Sequence, residues 1–152
     1  MFAKLVRTNN DWVLLVARLV LGVLFALHGS QKIFAWPPPG HTFNETMAAF
    51  TEKMGIPAPL AFLAIAAEFG GGIGLILGFL GRIDALGIIC VMAVAIAKVH
   101  YANGLFMNWT GKQPGEGYEY HLLAIAVALV ILVKGSGALS IDRLLSNAPP
   151  PA

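Results

Sequence analysis

Four long apolar runs joined by short polar connections constrain this chain more than any other feature. They fall at about residues 11–34, 58–80, 83–102 and 118–134, each near the roughly 20 apolar residues that a helix needs to cross about 30 Å of hydrocarbon. In lipid every backbone N–H and C=O must find its partner within the chain, so runs of this length read as helices. Four spans use about 80 residues of the 152 available, which leaves short connections and no room for a second, soluble domain. The expectation is a single transmembrane domain over residues 1–152: an all-α integral membrane four-helix bundle. A composition of 57% hydrophobic and 12% charged residues is unlike that of a soluble domain.

The first run follows Lys4 and Arg7 as a signal peptide would, but it carries Arg18 inside it and ends in His28-Gly29-Ser30-Gln31-Lys32 without a small-residue cleavage site. It reads as a retained helix. Asp11 lies at its N-cap region, and Trp36-Pro37-Pro38-Pro39-Gly40 ends it. In the first outer loop Phe43, Met47 and Phe50 recur at helical spacing beside Glu45, Glu52 and Lys53. That pattern predicts a short extra amphipathic helix lying along the membrane surface. Pro57 or Pro59 opens the second helix, Gly81-Arg82 is the expected turn into the third, and Gly135-Ser136-Gly137 stops the fourth. Residues 146–152, rich in proline, read as a disordered tail. Gly70, Gly74 and Gly78, Gly22 and Ala26, and Ala124 and Ala128 recur every four residues and read as helix contacts.

Orientation follows from Lys and Arg outside the spans. Lys4, Arg7, Arg82, Lys134 and Arg143 share one side, and Lys53 and Lys112 the other, so the positive-inside rule places both termini in the cytoplasm of a multi-pass plasma (inner) membrane protein. One cysteine, Cys90, allows neither an internal disulfide nor a dithiol centre. A net charge of +2 without basic blocks gives no reason to expect nucleic acid.

Ionisable groups inside a span cost several kcal/mol unless paired or hydrated, and this chain carries many. The first helix holds Arg18, His28, Gln31 and Lys32, the second Glu68, the third Lys98 and His100, and the fourth opens with Glu119 and His121. At about 100° per residue Arg18 and Lys32 differ by roughly 40° in azimuth, so one face of the first helix is polar. By depth the groups line a funnel opening outward, with Glu68 towards its floor and Arg18 deeper. An Arg18–Glu68 ion pair is the favoured contact. Lys98 is expected to reach the interface, leaving His100 inward, and Glu119 rather than His121 is expected to face the cavity. Three chemistries fit: a quinone-like pocket with Glu68 and His100 as candidate catalytic residues; a metal or haem site on His28, His100 and His121, disfavoured by the lack of HxxxH or ExxH spacing; and a structural or assembly role.

The runs Arg18-Leu-Val-Leu-Gly22, His28-Gly-Ser-Gln-Lys32 and Ala67-Glu68-Phe-Gly-Gly71, then His100, Gly117-Tyr118-Glu119-Tyr120 and the closing Gly135-x-Gly137-x-x-Ser140-x-Asp142 resemble the DoxX family of small four-helix membrane proteins. The resemblance runs from about residue 18 to 142. It implies a bacterial inner-membrane protein of the oxidoreductase class, related to the DoxD subunit of thiosulfate:quinone oxidoreductase and to proteins of oxidative and thiol stress. Arg18, His28, Lys32, Glu68, His100 and Glu119 are the ligand-binding positions it carries over, while the lone Cys90 speaks against a thiol mechanism. The reading is a membrane oxidoreductase subunit that binds a quinone or other small apolar molecule in an outward-facing cavity. Its alternative is a non-enzymatic scaffold or a lipid or small-molecule handling module. No flavin, haem or iron–sulfur motif is present, so no cofactor is intrinsic and electrons would come from a soluble redox partner protein. The other expected partners are the lipid bilayer and further copies of the chain.

Overall fold

The computed structural model describes residues 2–146. Its helices are α1 Phe2–Val6, α2 Trp12–Ile33, α3 Phe43–Ala48, α4 Ala58–Leu77, α5 Gly81–Ala95, α6 Glu119–Lys134 and α7 Ile141–Ser146. The π-helical turn Ala49–Lys53 extends α3, and α5 runs on through a π-helical turn, Ile96–His100, and a 3₁₀ turn, Tyr101–Asn103. Among the described residues there is no strand, only an antiparallel bridge between Phe34 and Thr42. Of the expected tail, Ser146 closes α7 and residues 147–152 lie outside the described residues.

Among the described residues three helices are long and apolar enough to cross a membrane: Trp12–Ile33, Ala58–Leu77 and Gly81–Asn103. At 16 residues, α6 is shorter. It nevertheless packs against both α5 and α2, while α4 packs against α2 and α5. The core between them holds Leu21, Phe25, Leu75, Ile88, Met92, Ala128 and Ile131. Outward, Val13, Val16, Val20, Leu63, Leu123 and Val133 are exposed. Lipid tails solvate such side chains, so helix association must come from close packing rather than from apolar burial.

That close packing lies elsewhere than the four-residue glycine stripe of the second helix. A Cβ added to Gly72 would stand 2.4 Å from Ala26 N, and one added to Gly22 would stand 2.9 Å from Gly72 O. Gly29 meets α4 as closely, with 2.4 Å to Phe69 N. Of the expected stripe, Gly70 faces open space, Gly74 makes room for the Asp84 carboxyl group, and Gly78 takes the left-handed conformation at φ +65°. With five glycines between positions 70 and 78, repeat spacing cannot tell which of them faces the partner helix.

The turn between the second and third helices also comes earlier than Gly81-Arg82. Gly78 ends α4, and Leu80, at φ +54°, leads directly into α5 at Gly81. A left-handed leucine is unfavourable and persists only when its surroundings hold it. Here Asp142, at the start of α7, accepts from Leu80 N at 2.8 Å and Gly81 N at 3.1 Å, capping α5 from 61 residues away. Arg82 then lies inside the first turn of α5, and its guanidinium binds the carbonyls of Leu132 and Val133 at the end of α6.

Candidate functional site

The buried polar residues separate into two groups, one at each end of the helices. At the end where α1 and α7 pack together, Arg18 is fully buried. The ion pair expected between Arg18 and Glu68 does not form. Instead the guanidinium donates to the carbonyls of Leu75 and Ile76 in the last turn of α4 and of Ser136, Ala138 and Leu139 in the loop after α6. The last turn of a helix leaves carbonyls unsatisfied and carries partial negative charge, so the guanidinium fork has ready acceptors close by. Glu68 lies further along α4 towards the other end, and a side chain committed to Leu75 and Ile76 does not reach it. Ser136 donates to Asp142 at 2.6 Å, and Ser140 donates to the Gly137 carbonyl at 2.7 Å. The closing Gly135-x-Gly137-x-x-Ser140-x-Asp142 run is therefore the socket for Arg18. Its signal in the sequence was a cluster of small polar residues directly after an apolar helix.

At the opposite end a cavity of about 390 Å³ is enclosed by α2, α4, α5, α6 and both long loops. Of the six expected ligand positions, His28, Lys32, Glu68 and His100 line it, and Arg18 and Glu119 do not. His121 lines it in place of Glu119, because α6 begins at Glu119 and turns the next-but-one residue inward, where His121 is 6% exposed. Lys98 also lines the cavity, together with His100 rather than pointing away from it. Glu116 and the apolar Phe25, Met54 and Ile56 are also in its lining and were not singled out from the sequence, whereas Phe50 and Tyr120, noted there for helical spacing and for the family pattern, line it too.

Glu68, 4% exposed, forms an ion pair with Lys32 across α2 and α4. The His100 ring approaches that of His121 with centroids 4.1 Å apart, and His28 stacks on Tyr120 at 6.2 Å. His28 Nδ1 donates to the Leu24 carbonyl and His100 Nδ1 to the Glu116 carbonyl, each at 2.8 Å. In a neutral ring this assignment leaves Nε2 as the acceptor nitrogen. His121 Nδ1 is buried without a partner, as is rare for a buried polar atom. Among the described residues no three His, Cys, Asp or Glu side chains converge on a metal position, so the three-histidine site is not assembled.

The His28–Lys32 run builds the cavity's edge. Gly29 lets α2 and α4 touch, Ser30 donates to the Trp36 carbonyl at 2.6 Å, and Gln31 donates to the Pro37 carbonyl at 3.0 Å. Ser30 and Gln31 thus fold the proline loop back onto α2, leaving His28 and Lys32 for the cavity. Beyond the loop, Thr42 and Glu45 form a capping box that starts α3. Hydrogen bonds from the Thr42 backbone and hydroxyl hold the Glu45 carboxyl below its usual range. Of the apolar residues in the extended α3, Phe50 reaches the cavity, while Phe43 packs edge-on against Phe62 of α4.

Comparison with known proteins identifies the family. Residues 13–101 match the DoxX family profile. The chain is also similar to an inner membrane protein of Escherichia coli strain K12, named YqjF, with 30% identity over 144 residues covering 91% of this chain and 95% of the relative. No solved structure matches. With the profile spanning more than half of the sequence, a relative aligned nearly end to end and helices able to cross a bilayer, the chain belongs to the DoxX family of inner-membrane proteins.

Proposed function

We propose that this protein binds a quinone-like amphiphile in the cavity at the outer end of its helices, as the membrane subunit of an oxidoreductase whose electrons come from a soluble partner. The observation that carries this reading is the make-up of the cavity: apolar walls over a polar floor that holds an ion pair and a buried, unpartnered histidine nitrogen. Small-molecule sites are mostly apolar with a few converging polar groups. The donor set suits a quinone and its reduced form alike, since Lys32 can donate to a carbonyl while neutral His28 and His100 offer Nε2 acceptors to a hydroxyl. Glu68 and His100 are the groups positioned to hold a proton beside the ligand. Both π-helical turns, Ala49–Lys53 and Ile96–His100, contribute residues to the cavity wall, and π-turns recur at functional sites.

The fourth apolar helix is proposed to complete a four-span bundle. Arg82 in the first turn of α5 binds carbonyls at the end of α6, and the His100 ring near the other end of α5 meets His121 in the first turn of α6. α6 is thus pinned at both ends beside a helix long enough to cross, and we infer that it spans as well, though its 16 residues make it shorter. The distribution of Lys and Arg supports cytoplasmic termini and an outward cavity.

The second reading, a non-enzymatic scaffold or lipid-handling module, is favoured by Arg18, a charged residue of the family pattern whose hydrogen bonds are wholly architectural. Mass spectrometry of organic extracts from gently purified protein separates the two. Stoichiometric quinone, lost in Glu68→Gln and His100→Ala without a fall in thermal stability, supports the pocket. An empty wild-type protein, with both variants less stable, overturns it in favour of the scaffold.

A further inference from the structure

The cavity's walls also indicate where its ligand enters. On α5 the buried residues Gly81, Ala85, Ile88 and Met92 define the side facing the core. At about 100° per residue Val94 stands roughly 160° from Met92, on the same side as the exposed Ile83, Leu86 and Cys90. Val94 is 45% exposed, yet it lines the cavity. Between these two directions, on the same flank, lie Gly87 and Val91, roughly 140° and 100° from Met92. Gly87 shows what this flank meets, because a Cβ placed there would stand 3.1 Å from Ala67 Cβ of α4. One turn further out, Ala64 of α4 and Val91 of α5 both line the cavity. The empty space therefore leaves the core between α4 and α5, just beyond the Ala67–Gly87 contact, and reaches the lipid-facing surface at Val94.

The side towards water is different. Phe50, Met54 and Ile56 of the first loop and Met107 of the second line the cavity there, with Glu116 the one charged group the loops contribute, so a ligand arriving from solution has to pass mainly apolar side chains from both loops. About 390 Å³ is at the small end of ligand sites, which run from about 300 to 1,000 Å³. It accommodates a polar head and the beginning of a tail, and the rest of a long tail must lie outside it.

We propose that the cavity is entered sideways from the bilayer through a window between the outer halves of α4 and α5, framed by Ala64, Val91 and Val94. Its ligand is a membrane-dissolved amphiphile whose hydrogen-bonding head rests among His28, Lys32, Glu68, His100 and His121 while its apolar tail passes through the window into lipid. This rests on the cavity-binding reading above and adds the route and the tail.

The test uses the full chain in liposomes with two probes, a long-chain ubiquinone carried in the bilayer and the tail-less dimethoxy-methyl-benzoquinone, whose head is the same. Val94→Trp is at an exposed position and fills the window. It is expected to weaken long-chain binding by about tenfold or more, equivalent to about 1.4 kcal/mol, while the tail-less probe binds as in wild type. Ala64→Trp narrows the window from the other wall and is expected to weaken long-chain binding as well. Leu123→Trp, on the lipid face of α6, is expected to change neither. Unaltered long-chain binding in a folded Val94→Trp protein overturns the window, as does a wild-type protein that takes the tail-less probe and refuses the long-chain one. If wild type binds neither probe, the cavity reading itself fails. Loss of both probes in Glu68→Gln, with loss of only the long-chain probe in Val94→Trp, supports the floor and the window separately.

Discussion

Arg18 and Lys32 are carried by the same helix, both buried or half-buried, yet the partners they find are of different kinds. Lys32 meets one carboxylate, Glu68, whereas Arg18 meets five backbone oxygens and, among the described residues, no carboxylate within ion-pair distance. A planar fork with five N–H donors suits divergent carbonyls in a way that an ammonium does not. Arg18→Lys is accordingly expected to lower stability by about 3–5 kcal/mol, the range for removing one side of a buried charged network, and thermal unfolding in detergent measures it. Lys32→Met combined with Glu68→Gln removes both charges together and is expected to change stability by about 1 kcal/mol or less, because a buried pair recovers little beyond its own desolvation cost. Equal losses in the two proteins would mean that the Lys32–Glu68 pair is as architectural as the Arg18 socket. Helical periodicity put Lys32 near the end of its helix and Glu68 in the interior, and the structure pairs the two at the cavity. Periodicity mispaired Arg18 because azimuth and depth describe side chains, whereas the partners were backbone carbonyls, two in the last turn of α4 and three in the loop after α6. The choice between Glu119 and His121 failed for a related reason: it depended on the residue at which α6 begins.

Helices in lipid draw no association energy from burying apolar surface, so the fit of α2 against α4 depends on where side chains are missing. Gly72 and Gly70 provide a controlled comparison within one helix. Gly72→Ala puts a methyl 2.4 Å from a backbone nitrogen, and overpacking of this kind costs about 1–3 kcal/mol. Gly70→Ala has open space around the new methyl and is expected to be neutral or stabilising by up to about 1 kcal/mol, as the unfolded chain loses freedom. Thermal unfolding of the two variants side by side distinguishes the contact face from the exposed face. If both lose stability alike, the α2–α4 interface is misassigned. Helix existence and the proline stop were legible in apolar length and composition, because those signals are local. Which glycine faces a neighbour was not, since it depends on the rotation of two helices about each other. The apolar run over 83–102 did mark the full length of the third helix, but the π-helical turn at Ile96–His100 that brings both Lys98 and His100 to the cavity left no trace in hydropathy.

For the whole molecule, the number of spans and the placement of the ends are linked by parity. Thr8 Oγ1 accepts from Gly137 N at 2.7 Å, Asp11 O accepts from Ala138 N at 2.9 Å, and Arg143 binds Asn10, so the segments bordering α1 and α7 meet. A chain whose two ends meet at one membrane surface crosses an even number of times. Three of its helices are long enough by themselves to cross, and α6 is about 24 Å long at 1.5 Å per residue, short of the roughly 30 Å hydrocarbon core. In the proposed four-span arrangement modest local thinning would accommodate such a mismatch at a fraction of a kcal/mol per Å, and it keeps the contacts of Arg82 with the end of α6 and of Arg18 with its socket. With Cys90 replaced by Ser, single cysteines at the exposed positions Asn9, Thr110 and Leu144 report on this arrangement in intact cells through a membrane-impermeant maleimide. The expected result is labelling of Thr110→Cys alone, with Asn9→Cys and Leu144→Cys labelled only after lysis. Labelling of Leu144→Cys from outside while Asn9→Cys stays protected would mean three crossings, and the contacts between the two ends could not then form in the membrane. Labelling of both ends from outside, with Thr110→Cys protected, would keep the four helices but invert them. The cavity would then open towards the cytoplasm, where a soluble electron donor is directly at hand.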